Sequence, residues 1–170
     1  MDARLKKLQE TLADAIASLS ADELSWHPPE KWSAIEVLEH LYLTYSGTIR
    51  GFEKMAEAGK PLATSGKLSW RALVVVVLGH FPEGRQSPQQ VKPRGLPQEQ
   101  VVSDIGPALH RMDEAITRAE EAFGRSKKLL DHPILGPLTA NQWRKFHLVH
   151  GQHHAKQLRR LREDCRAGRA

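Results

Sequence analysis

The sequence predicts an all-α protein, an antiparallel four-helix bundle formed by one domain over residues 1–170. Three observations predict this fold. Apolar residues recur at spacings of three and four in four separate segments, as in helices that bury one face. Two of the segments open with a capping box. Short links join the first helix to the second and the third to the fourth, so each pair is predicted to be antiparallel neighbours, and a long crossover separates the second helix from the third.

The first predicted helix has one apolar stripe. Its members are Leu5, Leu8, Leu12, Ile16 and Leu19. We expect the segment from Ser20 to Glu23, together with the Pro28–Pro29 pair, to end this helix and form a loop, because these residues favour turns.

The second predicted helix begins at Ser33, where Glu36 three residues later completes a capping box. Its apolar positions continue to about Met55. The fourth helix begins with the same signature, Thr139 followed by Gln142, and its pattern extends to roughly Arg166.

The third predicted helix runs from Ile105 to Phe123 and stops at Gly124. Proline suits the first turn of a helix, so Pro107 indicates a start near Asp104 to Gly106. The crossover before it contains an apolar run, Trp70 to Leu78, that fits either a short buried helix or a strand. The following residues, Gly79 to Pro97, are rich in Pro, Gln and Gly and are predicted to be irregular.

Composition excludes several classes of protein. A single cysteine, Cys165, excludes a disulfide framework and any zinc site built from cysteine pairs. The longest apolar run, Ala72 to Leu78, is far shorter than the roughly 20 residues of a membrane-spanning helix. The first residues lead directly into an amphipathic pattern without an apolar signal core, so a cytoplasmic protein without membrane association is expected.

The net charge of +5 is concentrated at the end of the chain. Arginines and lysines outnumber acids from Ala155 to Ala170, which fits a solvated helix end whose cations complement the helix dipole. A nucleic-acid patch is the alternative interpretation. We favour the solvated helix end because no aromatic residue lies among these arginines to stack on bases.

Four of the nine histidines fall within eight positions of the fourth helix. On an ideal helical wheel, His150 and His154 lie about 20° to either side of Trp143, at the centre of the apolar stripe, and His153 lies about 80° away. Two imidazoles at positions i and i+4 can reach one metal ion. Core histidines that bond to buried groups are the alternative, and the spacing alone leaves both interpretations open.

A metal site needs at least a third ligand from another part of the chain. The candidates are His40, His80, His110, His132 and the carboxylates of the second helix. The helical wheel argues against His40 as the third ligand. With Ile35 as zero, the apolar stripe of this helix centres near −80°, whereas His40 lies near +140°.

Two segments resemble the DinB/YfiT-like metalloenzyme superfamily. Residues 32–41 (WSAIEVLEHL) are similar to its second-helix signature, and residues 150–157 (HGQHHAKQ) are similar to its fourth-helix signature. The motif His132-Pro133-x-x-Gly136-x-Leu138-Thr139, followed by Trp143, is similar to one branch of that superfamily.

The resemblance implies an antiparallel four-helix bundle with a long crossover and one divalent metal ion, typically Ni²⁺ or Zn²⁺. The implied ligands are His40, His150 and His154. His153 matches an adjacent histidine that is not usually a ligand, and Gln157 matches a polar position beside the site. Some relatives resemble transferases and isomerases that use a low-molecular-weight thiol.

The leading hypothesis is therefore a divalent-metal-dependent enzyme that acts on a small molecule as a thiol-dependent transferase or a hydrolase. Three imidazoles leave a coordination position open for a thiol or water, as catalytic sites do. The alternative is a non-catalytic stress-response protein that binds a metal or a small ligand. A homodimer is also expected, from the resemblance and from the apolar run near Trp70.

Overall fold

The computed structural model describes residues 1–64 and 87–169. This part of the chain is mostly helical. The helices are α1 (Ala3–Ile16), α2 (Ala21–Ser25), α3 (Ala34–Ala58), α4 (Gln98–Phe123) and α5 (Ala140–Arg166). A 3-10 turn, Gln89–Val91, precedes α4, and two short strands, β1 (Leu130–His132) and β2 (Gly136–Leu138), lie between α4 and α5.

The four long helices enclose one apolar core, but the dominant helix pairs differ from those that the short links predict. The most extensive packing is that of α3 on α4 and of α1 on α5. Helix α1 also packs against α4, but it has little contact with α3. The link between α1 and α3 accounts for this difference, because it folds into α2, which packs against α3 itself.

The capping boxes at the starts of α3 and α5 are confirmed. Ser33 Oγ accepts a hydrogen bond from the Glu36 amide, and the Glu36 carboxylate accepts one from the Ser33 amide at 2.8 Å. Thr139 and Gln142 form the same reciprocal pair. Both helices therefore begin where the sequence predicts, and this fixes the phase of the residues that follow.

The first link was predicted wrongly as a loop. Helix α1 ends at Ile16 rather than continuing to Leu19, and residues 21–25 form α2. The physical reason is a third capping box, in which Ser20 Oγ accepts from the Glu23 amide and the Glu23 carboxylate accepts from the Ser20 amide. The Ser-x-x-Glu spacing that identified α3 was present here as well.

The start of α4 was also predicted wrongly. The helix begins at Gln98, directly after Pro97, and Pro107 lies inside it. A proline inside a helix removes one backbone hydrogen bond. Burial of Val101 and Ile105, which are 0 % and 7 % exposed, favours the additional turns before Pro107.

The antiparallel hairpin of β1 and β2 was not predicted. Its register pairs Leu130 with Leu138 and His132 with Gly136. The Leu62 amide donates to the Leu129 carbonyl at 3.0 Å, so the chain that leaves α3 is attached to the start of the hairpin. The hairpin thereby covers the ends of α3 and α5 and places His132 beside the α5 histidines.

Helices α1 and α5 approach closely at Gly151. A Cβ atom at this position would overlap the Leu8 side chain, which is fully buried. The only glycine of α5 therefore lets α1 and α5 approach closely at the middle of α1, beside His150 in the sequence of α5.

The basic end of α5 is tied to the link between α1 and α2. Arg166 Nε donates to Glu23 at 2.7 Å, and its Nη2 atom donates to the Ser18 carbonyl at 2.8 Å. Arg169 pairs with Asp164. Two of the cations at this end are thus engaged within the chain.

The apolar run Trp70 to Leu78, and with it the sequence argument for a homodimer, lies outside the described residues. Within residues 1–64 and 87–169, no helix has both the length and the apolar character needed to cross a membrane.

Candidate metal centre

Three buried histidines from two helices meet at one point. His40 is on α3, and His150 and His154 are one turn apart on α5. The Nε2 atom of His150 lies 3.2 Å from that of His40 and 3.1 Å from that of His154. The three side chains are 3–7 % exposed. Within the described part of the chain, this is the one group of three or more His, Cys, Asp or Glu residues close enough to share a metal ion.

The helical wheel placed His40 away from the apolar face, yet the residue is buried. Two neighbours explain this burial. The Trp32 ring, just before α3, lies 5.3 Å from the His40 ring between centroids. The Val91 carbonyl, in the 3-10 turn before α4, lies 2.8 Å from His40 Nδ1. A wheel describes only the helix itself, so it could not include a segment from 50 residues later that covers this flank.

Hydrogen bonds on the outer side of two rings fix which nitrogen faces inward. A carbonyl oxygen can only accept, so His40 Nδ1 carries the proton that it donates to Val91. His154 Nδ1 donates to Gln157 Oε1 at 3.0 Å in the same way. In each neutral ring the other nitrogen, Nε2, then presents a lone pair. The Nε2 lone pairs of His40 and His154 therefore both point at His150 Nε2.

This arrangement fits a cation. A single proton on His150 Nε2 could satisfy one neighbouring lone pair well, but not two at once. Two nitrogens that share a tetrahedral zinc ion at 2.0–2.1 Å lie about 3.3 Å apart, close to both short distances here. The donor set, its tautomers and its spacing are those of a three-imidazole metal site.

Burial keeps the three rings neutral at neutral pH. Burial lowers the pKa of His154 to about 3 and lowers the pKa of His150 well below the ordinary histidine value. Burial also lowers the pKa of His40, against a smaller opposing effect of the Val91 hydrogen bond. A histidine must be neutral to bind a metal, so these rings are in the ligating form without a shift of protonation.

Besides His153, whose ring lies 5.1 Å from that of His154 between centroids, two more histidines lie near the three, and the sequence offers only His132 of these two as a ligand candidate. His132, at the end of β1, accepts from the amides of Ile134 and Leu135 at its Nδ1 atom, which holds it in the hairpin turn. Its ring packs on Phe146, which also stacks on the ring of His150. The hairpin therefore uses His132 Nδ1 for its own turn, and His132 stands outside the group of three.

The other neighbour, His147, was missed as a functional candidate. It is fully buried, and Thr48 Oγ1 lies 3.2 Å from its Nε2 atom. Its Nδ1 atom and the hydroxyl of the adjacent Tyr45 have no hydrogen-bond partner within the described residues. Its wheel angle of about 40° from Trp143 was the available signal, since it puts His147 on the same stripe as the ligand candidates.

The other third-ligand candidates do not join the group. His110 is half-exposed and lies 3.3 Å from Glu114 on the surface of α4. His80 lies outside the described residues. The carboxylates of α3 nearest the site, Glu36 and Glu39, bond to backbone amides instead.

His147 makes the stability of the metal-free protein depend on pH. Burial lowers its pKa in the folded state to about 3, whereas an unfolded histidine titrates near 6.5. Below pH 6.5 the unfolded state binds the proton and the folded state does not, so stability is complete above pH 6.5 and decreases as the pH falls. We expect this residue to account for a loss of about 2 kcal/mol between pH 7 and pH 5.

Urea unfolding in the presence of a chelator measures this loss. In His147→Gln the stability should change less between the two pH values than in the parent protein, by about 2 kcal/mol. An identical pH dependence in both proteins would contradict the assignment.

The family model described as "Protein of unknown function (DUF1569)" matches residues 1–161. The chain belongs to this family. The match includes α3 and the part of α5 that carries His150 and His154. No curated protein and no solved structure matches the chain. The family description names no activity for this DUF1569 member.

Proposed function

We propose that this protein is a divalent-metal-dependent enzyme in which His40, His150 and His154 hold Zn²⁺ or Ni²⁺. The convergence of three Nε2 atoms, two of them with lone pairs fixed inward, carries this proposal. Burial of neutral lone pairs against one another is unfavourable unless a cation lies between them. Imidazole nitrogen suits both zinc and nickel, so the donor set does not choose between the two ions.

The proposal includes a fold relationship. We infer that α1, α3, α4 and α5 form a four-helix bundle of the DinB/YfiT-like type, with residues 59–97 as the crossover. The fully antiparallel arrangement that the sequence predicts is not what the contacts show, because α1 and α5 run parallel: Arg4 bonds to Asn141, Leu8 packs at Gly151 and Ser18 bonds to Arg166. The packing of α1 on α5, α5 on α3, α3 on α4 and α4 on α1 supports a closed arrangement of four helices. In such bundles, metal ligands project inward from facing helices, as His40 and the two α5 histidines do.

A catalytic role is favoured over a structural one. Structural zinc sites use four protein ligands, whereas three protein ligands leave a position open for a water or a substrate. When bound, a divalent ion supplies Lewis acidity and lowers the pKa of a water or thiol at that open position.

The chain's own residues contribute positioning and exclusion of water. Val91 and Gln157 orient the rings of His40 and His154 through their Nδ1 atoms. Phe146 stacks on His150 at 5.3 Å between centroids, and Trp32 covers His40. These aromatic rings provide an apolar wall, which strengthens electrostatic interactions at the site.

We propose that the nucleophile comes from outside the chain, because no cysteine lies near the histidine group in the sequence. Cys165 is the only cysteine, and it lies 11 residues beyond His154 on the same helix, which corresponds to about 16 Å along the axis. We therefore propose either a small-molecule substrate and a low-molecular-weight thiol, in a transferase reaction, or a small-molecule substrate and water, in a hydrolase reaction.

The second candidate function is non-catalytic binding of a metal or small ligand, for example in a stress response. The low exposure of all three histidines favours this alternative over an open active site. Turnover distinguishes the two functions: metal-loaded protein is incubated with an electrophile, with and without a small thiol, and product formation supports the enzyme.

Metal titration tests the proposal directly. We expect protein purified without a histidine tag to bind one equivalent of Zn²⁺ or Ni²⁺, and His150→Ala and His154→Ala each to lose it, because each removes one of three ligands. His153→Ala is the matched control on the same helix, since its side chain lies about 60° around the axis from His150 and about 100° from His154. Full metal binding by both ligand variants would refute the site, and loss in His153→Ala would reassign the ligands.

A further inference from the structure

The segment that precedes α4 crosses α3 beside the histidine group. We call residues 88–96 the strap. Its 3-10 turn, Gln89–Val91, packs against α3. The Val91 carbonyl accepts the hydrogen bond from His40 Nδ1 at 2.8 Å. The strap therefore supplies the backbone oxygen that decides which nitrogen of His40 faces His150.

Glu39, the residue before His40, holds the same strap at a second point. Its carboxylate accepts from the Arg94 amide at 2.6 Å and from the Gly95 amide at 3.1 Å. Gly95 has a φ of +80°, a conformation that other residues rarely adopt. Glu39 is only 2 % exposed, and no ion pair to it occurs within residues 1–64 and 87–169.

A buried carboxylate is costly unless hydrogen bonds satisfy it. The two amides of the strap are short, charge-assisted partners, so they account for the presence of Glu39 in the interior. Glu39 is not needed to cap α3, because Ser33 and Glu36 already form its capping box. Glu39 is the only buried acid of α3, and the hydrogen bonds of its carboxylate go to the segment that orients His40.

We infer that Glu39 is a positioning residue of the metal centre, and that it acts through the strap. The inference rests on the proposed function, since it assigns the residue to the three-histidine site. A carbonyl can orient an imidazole only if the carbonyl itself is fixed. Glu39 fixes the backbone at residues 94 and 95, the Val91 carbonyl is held in place, and His40 keeps its proton on Nδ1 and its lone pair on Nε2.

The coupling must act in both directions. If the strap favours the ligating form of His40, a metal on His40 favours the attached strap by the same free energy. Zinc should therefore slow hydrogen exchange at the amides of Arg94 and Gly95, although neither residue is a ligand.

Glu39→Gln tests the inference with little change of shape. The glutamine oxygen can accept from one amide, but its NH₂ group then faces the other N–H donor. We expect the dissociation constant for Zn²⁺ to rise about 10- to 100-fold, the range typical for partners that orient metal ligands. Glu53→Gln is the matched control, because Glu53 is an exposed glutamate on the same helix, and its affinity should equal that of the parent protein.

A second variant perturbs the strap without changing α3 or its charge. Gly95→Ala places a side chain at a positive φ, where a Cβ meets no atom of the described residues within 4 Å, so its expected effect is backbone strain. We expect zinc affinity to fall in the same direction as in Glu39→Gln. Gly59→Ala is the control, because Gly59 also has a positive φ and open space around it but lies at the end of α3.

Nitrogen NMR of the metal-free protein separates this inference from the proposed function. His40 should occur as one tautomer, protonated at Nδ1, in the parent protein and as a mixture in Glu39→Gln. If the parent protein binds no zinc, the proposed metal site fails, while these spectra still test Glu39. An unchanged His40 tautomer, or Glu39→Gln protein that binds zinc as tightly as the Glu53→Gln control, would overturn the inference.

Discussion

His40→Ala is expected to weaken zinc binding more than 100-fold while the helices stay folded. Loss of a partner outside the coordination shell already costs about 10- to 100-fold, and loss of a ligand should cost more. The change also removes the only cross-link that the metal would make between α3 and α5. Isothermal titration with Zn²⁺ and far-ultraviolet circular dichroism on the same sample measure both outcomes.

The fold should survive because the stabilising contacts of α3 lie elsewhere on the helix. Leu38, Leu41 and Tyr45 are fully buried in the core and are not altered. Any catalytic turnover of the parent protein should disappear with the metal. Unchanged zinc affinity with an intact spectrum would mean that a different residue is the third ligand.

The placement of His150 and His154 together on α5 could be predicted from the sequence, because both residues lie on one regular helix. The capping box at Thr139 and Gln142 fixes the start of α5, and a 3.6-residue period then places His150 and His154 on the stripe of Trp143. The structure puts them there, with adjacent Nε2 atoms. The capping box and the helical period were sufficient for this pair, because both residues lie on one uninterrupted helix.

His40 required information that no helical period contains. Its burial depends on Trp32 and on the strap, which reaches it from 51 residues along the chain. The motif resemblance indicated this residue, whereas the wheel argued against it. The same limit explains the unpredicted role of Glu39, whose partners are the amides of Arg94 and Gly95.

Errors in element boundaries have a related cause. The start of α4 at Gln98 is determined by burial of Val101 against other helices, and this outweighs the helix-breaking tendency of Pro107. The hairpin depends on the contact of Leu62 with Leu129, two residues that are far apart in sequence. Packing between distant segments, rather than local preference, decided these cases.

Arg144 forms a buried polar network that no local sequence pattern indicates. Its guanidinium donates to Asp113 at 2.9 Å, to Glu120 at 2.6 Å and to Thr117 at 2.8 Å, all on α4. Asp113 in turn accepts from the Asp2 amide at 2.6 Å, at the start of α1. One arginine on α5 thus connects three helices at the end of the molecule opposite the basic tail.

Removal of this arginine should be among the most destabilising single changes in the chain. Arg144 and Asp113 are 6 % and 3 % exposed, so Arg144→Met leaves a buried carboxylate without its cation. Loss of one partner of a buried pair costs about 3–5 kcal/mol. Urea unfolding in a chelator should show that loss, whereas Arg118→Met, at an exposed position of α4, should change stability by less than about 0.5 kcal/mol.

A double variant distinguishes the lost ion pair from lost packing. In Arg144→Met with Asp113→Leu, no uncompensated charge is left at position 113, so the double variant should be more stable than Arg144→Met alone. If the loss came from the packing of the arginine side chain, the second substitution would recover nothing. A double variant that is no more stable than the single one would therefore show that the buried charge is not what makes Arg144 necessary.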